Sequence, residues 1–83
     1  MRRIKAGGFA EILEIGKEDI LFKHQEQLVG LKIWLARLLP RASPWFSATG
    51  VLVLRDICLN GIRIKKGDHL WFSKVKLRPI SRI

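Results

Sequence analysis

Hydrophobic and polar positions change over in short runs, with turn residues between them. Residues 9–15 (FAEILEI) alternate imperfectly and predict a strand. Gly16-Lys17-Glu18-Asp19 reads as a turn, and residues 20–24 (ILFKH) as a returning strand, so 9–24 is expected to be a hairpin. Residues 40–50 (PRASPWFSATG) hold two prolines, two serines and a glycine and predict a loop carrying Trp45 and Phe46. Residues 51–59 (VLVLRDICL) are aliphatic and β-branched without a break and predict a strand. Asn60-Gly61 marks a tight hairpin turn, because both central positions of a type I′ turn need positive φ. Ile62-Arg63-Ile64 returns, Lys65-Lys66-Gly67-Asp68 turns again, and residues 69–77 (HLWFSKVKL) form a further strand that Pro79 should end.

Residues 28–39 (LVGLKIWLARLL) fit two periods. With period two, Val29, Leu31, Ile33 and Leu35 share one face, and Gly30, Lys32, Trp34 and Ala36 the other. With helical period, Leu28, Leu31, Leu35, Leu38 and Leu39 share a face and Pro40 stops the helix. Leucine content favours helix, whereas Gly30 and Ile33-Trp34 favour strand. Periodicity leaves both open.

The alternation at 70–78 constrains a possible binding face. With Leu70 and Phe72 inward, strict alternation would bury Lys74, Lys76 and Arg78, which is too costly for three cations. A bulge near Ser73 would return Val75 and Leu77 to the core and align Trp71, Lys74, Lys76 and Arg78 on the outside. Without a bulge, Leu70 and Phe72 would lie exposed beside the lysines. Either arrangement gives a face of aromatic rings and cations.

Val51-Leu52-Val53-Leu54-Arg55-Asp56-Ile57, then Asn60-Gly61, then Asp68-His69-Leu70-Trp71-Phe72 resemble a pattern in small OB-fold-like proteins of phages, plasmids and bacteria. In that pattern a strand is followed by "NG" and "DHLWF", and a strand resembling residues 30–38 precedes it. The resemblance covers about residues 28–74, and "DHLWF" is its specific part. It implies a small OB-like barrel and tips 28–38 towards strand. This chain departs from the pattern in residues 1–27, which have no counterpart, and in the short stretch after "DHLWF". The N-terminal hairpin would then supply the strands that are lacking. "LNGIRIKKGDHL" also resembles the closing turn of S4-like RNA-binding domains, but the helices expected before it are absent.

Composition adds a partner class. The 83 residues are 48% hydrophobic and 28% charged, which predicts one folded domain, 1–83, rather than a disordered tail. A chain this small buries only about 60% of its unfolded surface, so its core is thin. The net charge is +9: residues 1–50 carry +3 and residues 51–83 carry +6. A basic half on a small domain points to a polyanion, nucleic acid above all, whereas the bland reading is charge for solubility. No signal-peptide pattern follows the basic start, and Leu28–Leu39 is too short and too charged to span a bilayer. A cytoplasmic setting without membrane contact is the expectation.

Candidate chemistry is sparse. The single cysteine, Cys58, cannot form an internal disulfide and reads as a small buried hydrophobe. His24 and His69 are far apart, and no metal-ligand spacing occurs. Glu11, Glu14, Glu18 and Asp19 read as solvated hairpin charges rather than an acid/base pair. Asp68 should cap its own turn, with His69 hydrogen-bonding across strands. The expectation is a mostly β, OB-like barrel of five to six strands, the alternative being α+β with a helix at 26–39. It would act without catalysis, cofactor or metal. Single-stranded DNA or RNA would be bound by Trp34 and Trp71 through stacking, with Lys32, Arg63, Lys65, Lys66, Lys74, Lys76 and Arg78 on phosphates. The alternative is an oligomerising interaction module, since apolar strands with open edges favour homo-oligomers.

Overall fold

The structure, a computed structural model, describes residues 4–40 and 45–81. The chain is mostly β. Strand β1 (Phe9–Ile15) is followed by a 3₁₀ turn (Ile20–His24) that runs into a single-turn helix, α1 (Gln25–Leu28). Strands β2 (Lys32–Pro40), β3 (Trp45–Val53), β4 (Ile57–Leu59), β5 (Ile62–Ile64), β6 (His69–Phe72) and β7 (Val75–Ile80) complete it. The main sheet has the order β2-β1-β7-β3-β6, and β3 also pairs with β2. Four strands thus close a ring and β6 extends from it, a small barrel-like arrangement in which all pairs are antiparallel. Strands β4 and β5 form a separate two-stranded ribbon.

The expected 9–24 hairpin is half present. Residues 20–24 are not a strand. Asp19 occupies the N-cap and its carboxylate accepts from the Leu21 amide at 2.8 Å, which starts a helical turn. From there the inward positions follow helical spacing: Leu21 is partly buried, His24 is 9% exposed and Leu28 is fully buried. The helix then stops, so the helix considered for 26–39 is not formed beyond Leu28. Gly30, at φ +90°, turns the chain, and residues 32–40 extend as β2. Ile33 and Leu35 face inward, in register with Val53 and Val51 of β3. Pairing on both edges of β2 outweighs the helix preference of its leucines.

The expected loop at 40–50 is also corrected. Its residues 41–44 lie outside the described ones, but Trp45–Gly50 belong to β3. This long strand finds partners in β2, β6 and β7. The single strand expected over 51–59 is broken instead: β3 ends at Val53, and β4 begins only at Ile57. Asn60 (φ 54°) and Gly61 (φ 86°) make the tight turn that the sequence predicts between β4 and β5.

The strand expected over 69–77 bends at Ser73-Lys74, the first of the two arrangements that keep the lysines out of the core. Leu70, Phe72, Val75 and Leu77 are all buried, and Trp71 is 55% exposed. Pro79 lies within β7 rather than after it, in register with Ala10. Past Val75 and Lys76, β7 has β1 as its one described neighbour, so the missing N–H disturbs no second ladder. The core gathers Ile12, Ile15, Leu31, Ile33, Leu35, Val51, Val53, Phe72 and Val75, joined by Leu28 from α1 and Leu59 from the ribbon. No helix among the described residues is long and apolar enough to cross a membrane.

Candidate nucleic-acid interface

The outward side chains of the sheet form rows set by strand register. Phe9 of β1 lies opposite Trp34 of β2, Trp34 opposite Leu52 of β3, and Leu52 opposite His69 of β6. One apolar and aromatic row therefore crosses four strands. Phe9 and Trp34 meet edge to face at 5.0 Å between centroids. His69 and Trp71, two positions apart on β6, lie 5.8 Å apart with planes within 7°. The His69 ring stacks on Trp71, where the sequence suggested a cross-strand hydrogen bond.

A neighbouring row reads Arg37, Gly50, Trp71. A β-carbon at Gly50 would stand 2.5 Å from Cζ3 of Trp71, so the indole occupies the space a side chain would take. The bare backbone of β3 thus lets Trp71 lean inward across the strand while remaining more than half exposed.

The structure divides the predicted cations into two groups. Lys74, Lys76 and Arg78 share one outer face but have acidic partners. Lys74 pairs with Glu18 at 2.7 Å, Lys76 with Glu14 at 3.1 Å, and Arg78 with Glu11. The lysine ammonium groups each lie 4.9 Å from the Trp45 ring centroid. Trp45 is thus a half-buried base for this ladder, and Phe46 packs on the core. Of the glutamates read from sequence as solvated charges, Glu11 and Glu14 face Arg78 and Lys76 across β1 and β7, and Glu18, in the turn after β1, meets Lys74 at the bend before β7.

Lys32, Arg63, Lys65 and Lys66 form the other group and make no ion pair among the described residues. Local hydrogen bonding explains the ribbon. Asp68 accepts from the Lys65 amide at 3.0 Å, as its position in the turn predicts, and Asp56 from the Lys66 amide at 2.8 Å. Both acids of the basic half are thereby committed to main-chain amides, and the lysine side chains stay exposed. Lys32 lines a cleft of about 210 Å³ with Gly30, Leu31, Leu54 and Arg55. Arg55 and Arg37 were not singled out in the sequence. Arg55 follows the strand that breaks, and Arg37 sits at an irregularity in the β2–β3 register, so neither position shows in an alternation pattern.

Cys58 is exposed rather than buried, because the ribbon presents it outward opposite Arg63. No group of three or more potential metal-ligating side chains occurs among the described residues. No protein-family model, curated protein or solved structure matches this chain.

Proposed function

We propose that the protein binds single-stranded nucleic acid, without catalysis, on the outer face of β2, β3 and β6. The observation carrying this reading is the aromatic row Phe9–Trp34–Leu52–His69, with Trp71 stacked beside it. Unpaired bases expose apolar faces that stack on such rings, and stacking tolerates any base. Trp34 and Trp71 are the platforms. Lys32, Arg37 and Arg55 border the row, and Arg63, Lys65 and Lys66 extend the cationic surface along the ribbon. Lys74, Lys76 and Arg78 contribute less to phosphate binding, because each would have to give up a carboxylate. The free, exposed thiol of Cys58 suits a reducing, cytoplasmic setting.

Tryptophan fluorescence, titrated with an oligopyrimidine at low and moderate salt, tests this reading. Quenching with steep salt dependence supports it. Absence of binding at low salt refutes it.

A second reading, an assembly module, has its own observation. Strand β6 pairs with β3 on one side only among the described strands, and Trp71 and Ile20 beside it are exposed. Sedimentation across a concentration series checks it: a single monomer species removes it.

A further inference from the structure

A cleft of about 210 Å³ opens between the start of β2 and the bend after β3, lined by Gly30, Leu31, Lys32, Leu54 and Arg55. We infer that it is a phosphate seat, in which Lys32 and Arg55 hold one phosphate group between them. The inference deepens the single-strand reading and rests on it for the source of that phosphate.

Charge selects the occupant. Two of the lining residues are cations and none is acidic. The acids beside these cations are engaged elsewhere. Asp56, next to Arg55, accepts from the Lys66 amide at 2.8 Å. Glu11, in register with Lys32, pairs with Arg78. Lys32 and Arg55 themselves make no ion pair among the described residues. A cation entering the cleft would meet two like charges, and a neutral group would gain little from either. A phosphate meets two donors of charge-assisted hydrogen bonds, and the fork of an arginine suits two of its oxygens at once.

Main-chain hydrogen bonds fix the walls. On one side the Gly30 amide donates to the Ile12 carbonyl at 2.7 Å, and the Leu31 amide to Leu28 at 3.1 Å. On the other, the Val53 amide donates to Asp68 at 3.0 Å, and the Val53 carbonyl accepts from Gly67 at 2.9 Å. Leu31 is buried and ties the cleft to the core. A β-carbon at Gly30 would meet nothing within 4 Å, so that side is open to a ligand.

The position suits a strand lying on the aromatic row. Lys32 and Trp34 are two apart on β2 with Ile33 buried between them, so both project outward, about 7 Å apart along the strand. A base stacked on Trp34 leaves its own phosphate, or the adjoining one, within reach of the cleft.

Amide resonances followed by NMR during titration with inorganic phosphate test the seat without any oligonucleotide. Shifts are expected at residues 30–32 and 54–55, absent with chloride at equal ionic strength and lost in Arg55→Gln. No shift there, or equal shifts at Lys65 and Lys66, overturns the seat. An otherwise unchanged spectrum verifies that Arg55→Gln folds. A second arm compares oligothymidylate ending in a 5′ hydroxyl with the same oligomer carrying a 5′ phosphate. Arg55→Gln should weaken binding about fivefold at low salt and flatten its salt dependence by about 0.7 log units. A loss confined to the phosphorylated oligomer assigns the seat to a strand end, and an equal loss for both assigns it to an internal phosphodiester; each upholds it. Unchanged affinity and slope for both oligomers overturn the seat as a holder of the strand, while single-strand binding stands. Localised phosphate shifts without oligomer binding keep the seat and refute the single-strand reading.

Discussion

The Asp19 carboxylate accepts a hydrogen bond from the Ser73 amide at 2.8 Å, across 54 positions of sequence. The same oxygen accepts from the Lys74 amide at 3.0 Å, and the other oxygen from Leu21. One side chain, 4% exposed, thus starts the 3₁₀ turn and fixes the bend between β6 and β7. That bend keeps Val75 and Leu77 inside and the lysines outside.

Replacing Asp19 by Ala should cost roughly 2–4 kcal/mol, because partly buried amides lose a charged acceptor. Asp19→Asn should cost less, since one oxygen can still accept. Urea denaturation followed by circular dichroism measures both. A loss in Asp19→Ala below about 0.5 kcal/mol would show that water replaces the carboxylate at no cost.

The cations are expected to contribute unequally. The double substitution of Lys65 and Lys66 by Ala should flatten the salt dependence of oligonucleotide binding by about 0.7 log units per lost phosphate contact. Substituting Lys74 and Lys76 should change the slope by less, because those ammonium groups already face Glu18 and Glu14. Equal slopes for the two variants would mean that the ladder opens on binding.

Gly50→Ala should disturb Trp71 more than it disturbs the fold. The nearest atom to an added β-carbon is at the far edge of a half-exposed ring that can swing outward. A stability change of about 1 kcal/mol or less is expected, with red-shifted emission and weaker oligonucleotide binding. Unshifted emission would mean that the strand yields instead of the ring.

The ribbon should open before the barrel. Strands β4 and β5 share three residue pairs and no ladder with the main sheet. Amide hydrogen exchange is expected to be faster at Cys58 and Arg63 than at Ile12 and Ile33. Gly61→Ala, forced into left-handed backbone at φ 86°, should widen that gap by about 1 kcal/mol or more.

Legibility in the sequence followed the range of the forces involved. Asn60-Gly61 depends on local geometry and could be read directly, whereas alternation at 70–78 allowed two arrangements, of which the burial of Leu70 and Phe72 selects one. The cost of burying cations excluded a regular strand with Leu70 and Phe72 inward, but it left open an unbent strand with those two residues exposed. Trp45–Gly50 could not be read as a strand, since its composition is that of a loop and only partners far along the chain hold it extended. Ile20–His24 carries no local sign of its helical turn, because Asp19 looks like one more turn residue and its distant amide partners leave no mark in the nearby sequence. The candidate face was half legible. Trp34, Trp71 and the ribbon cations stood out by type, whereas Arg37 and the pairing of Lys74 and Lys76 with glutamates depend on register.

The pairing of β1 with β7, from Ile15 against Val75 to Phe9 against Ile80, dictates an order of assembly. During synthesis β1, β2 and β3 are made before the segment that closes the ring. Until residues 69–80 follow, β1 lacks one neighbour, Asp19 lacks the Ser73 and Lys74 amides, and inward apolar side chains face water. Closure is then an event of high contact order, slow beside the local turn at Asn60-Gly61. The nascent chain passes through an interval in which it is open to chaperones and to mispairing with other chains.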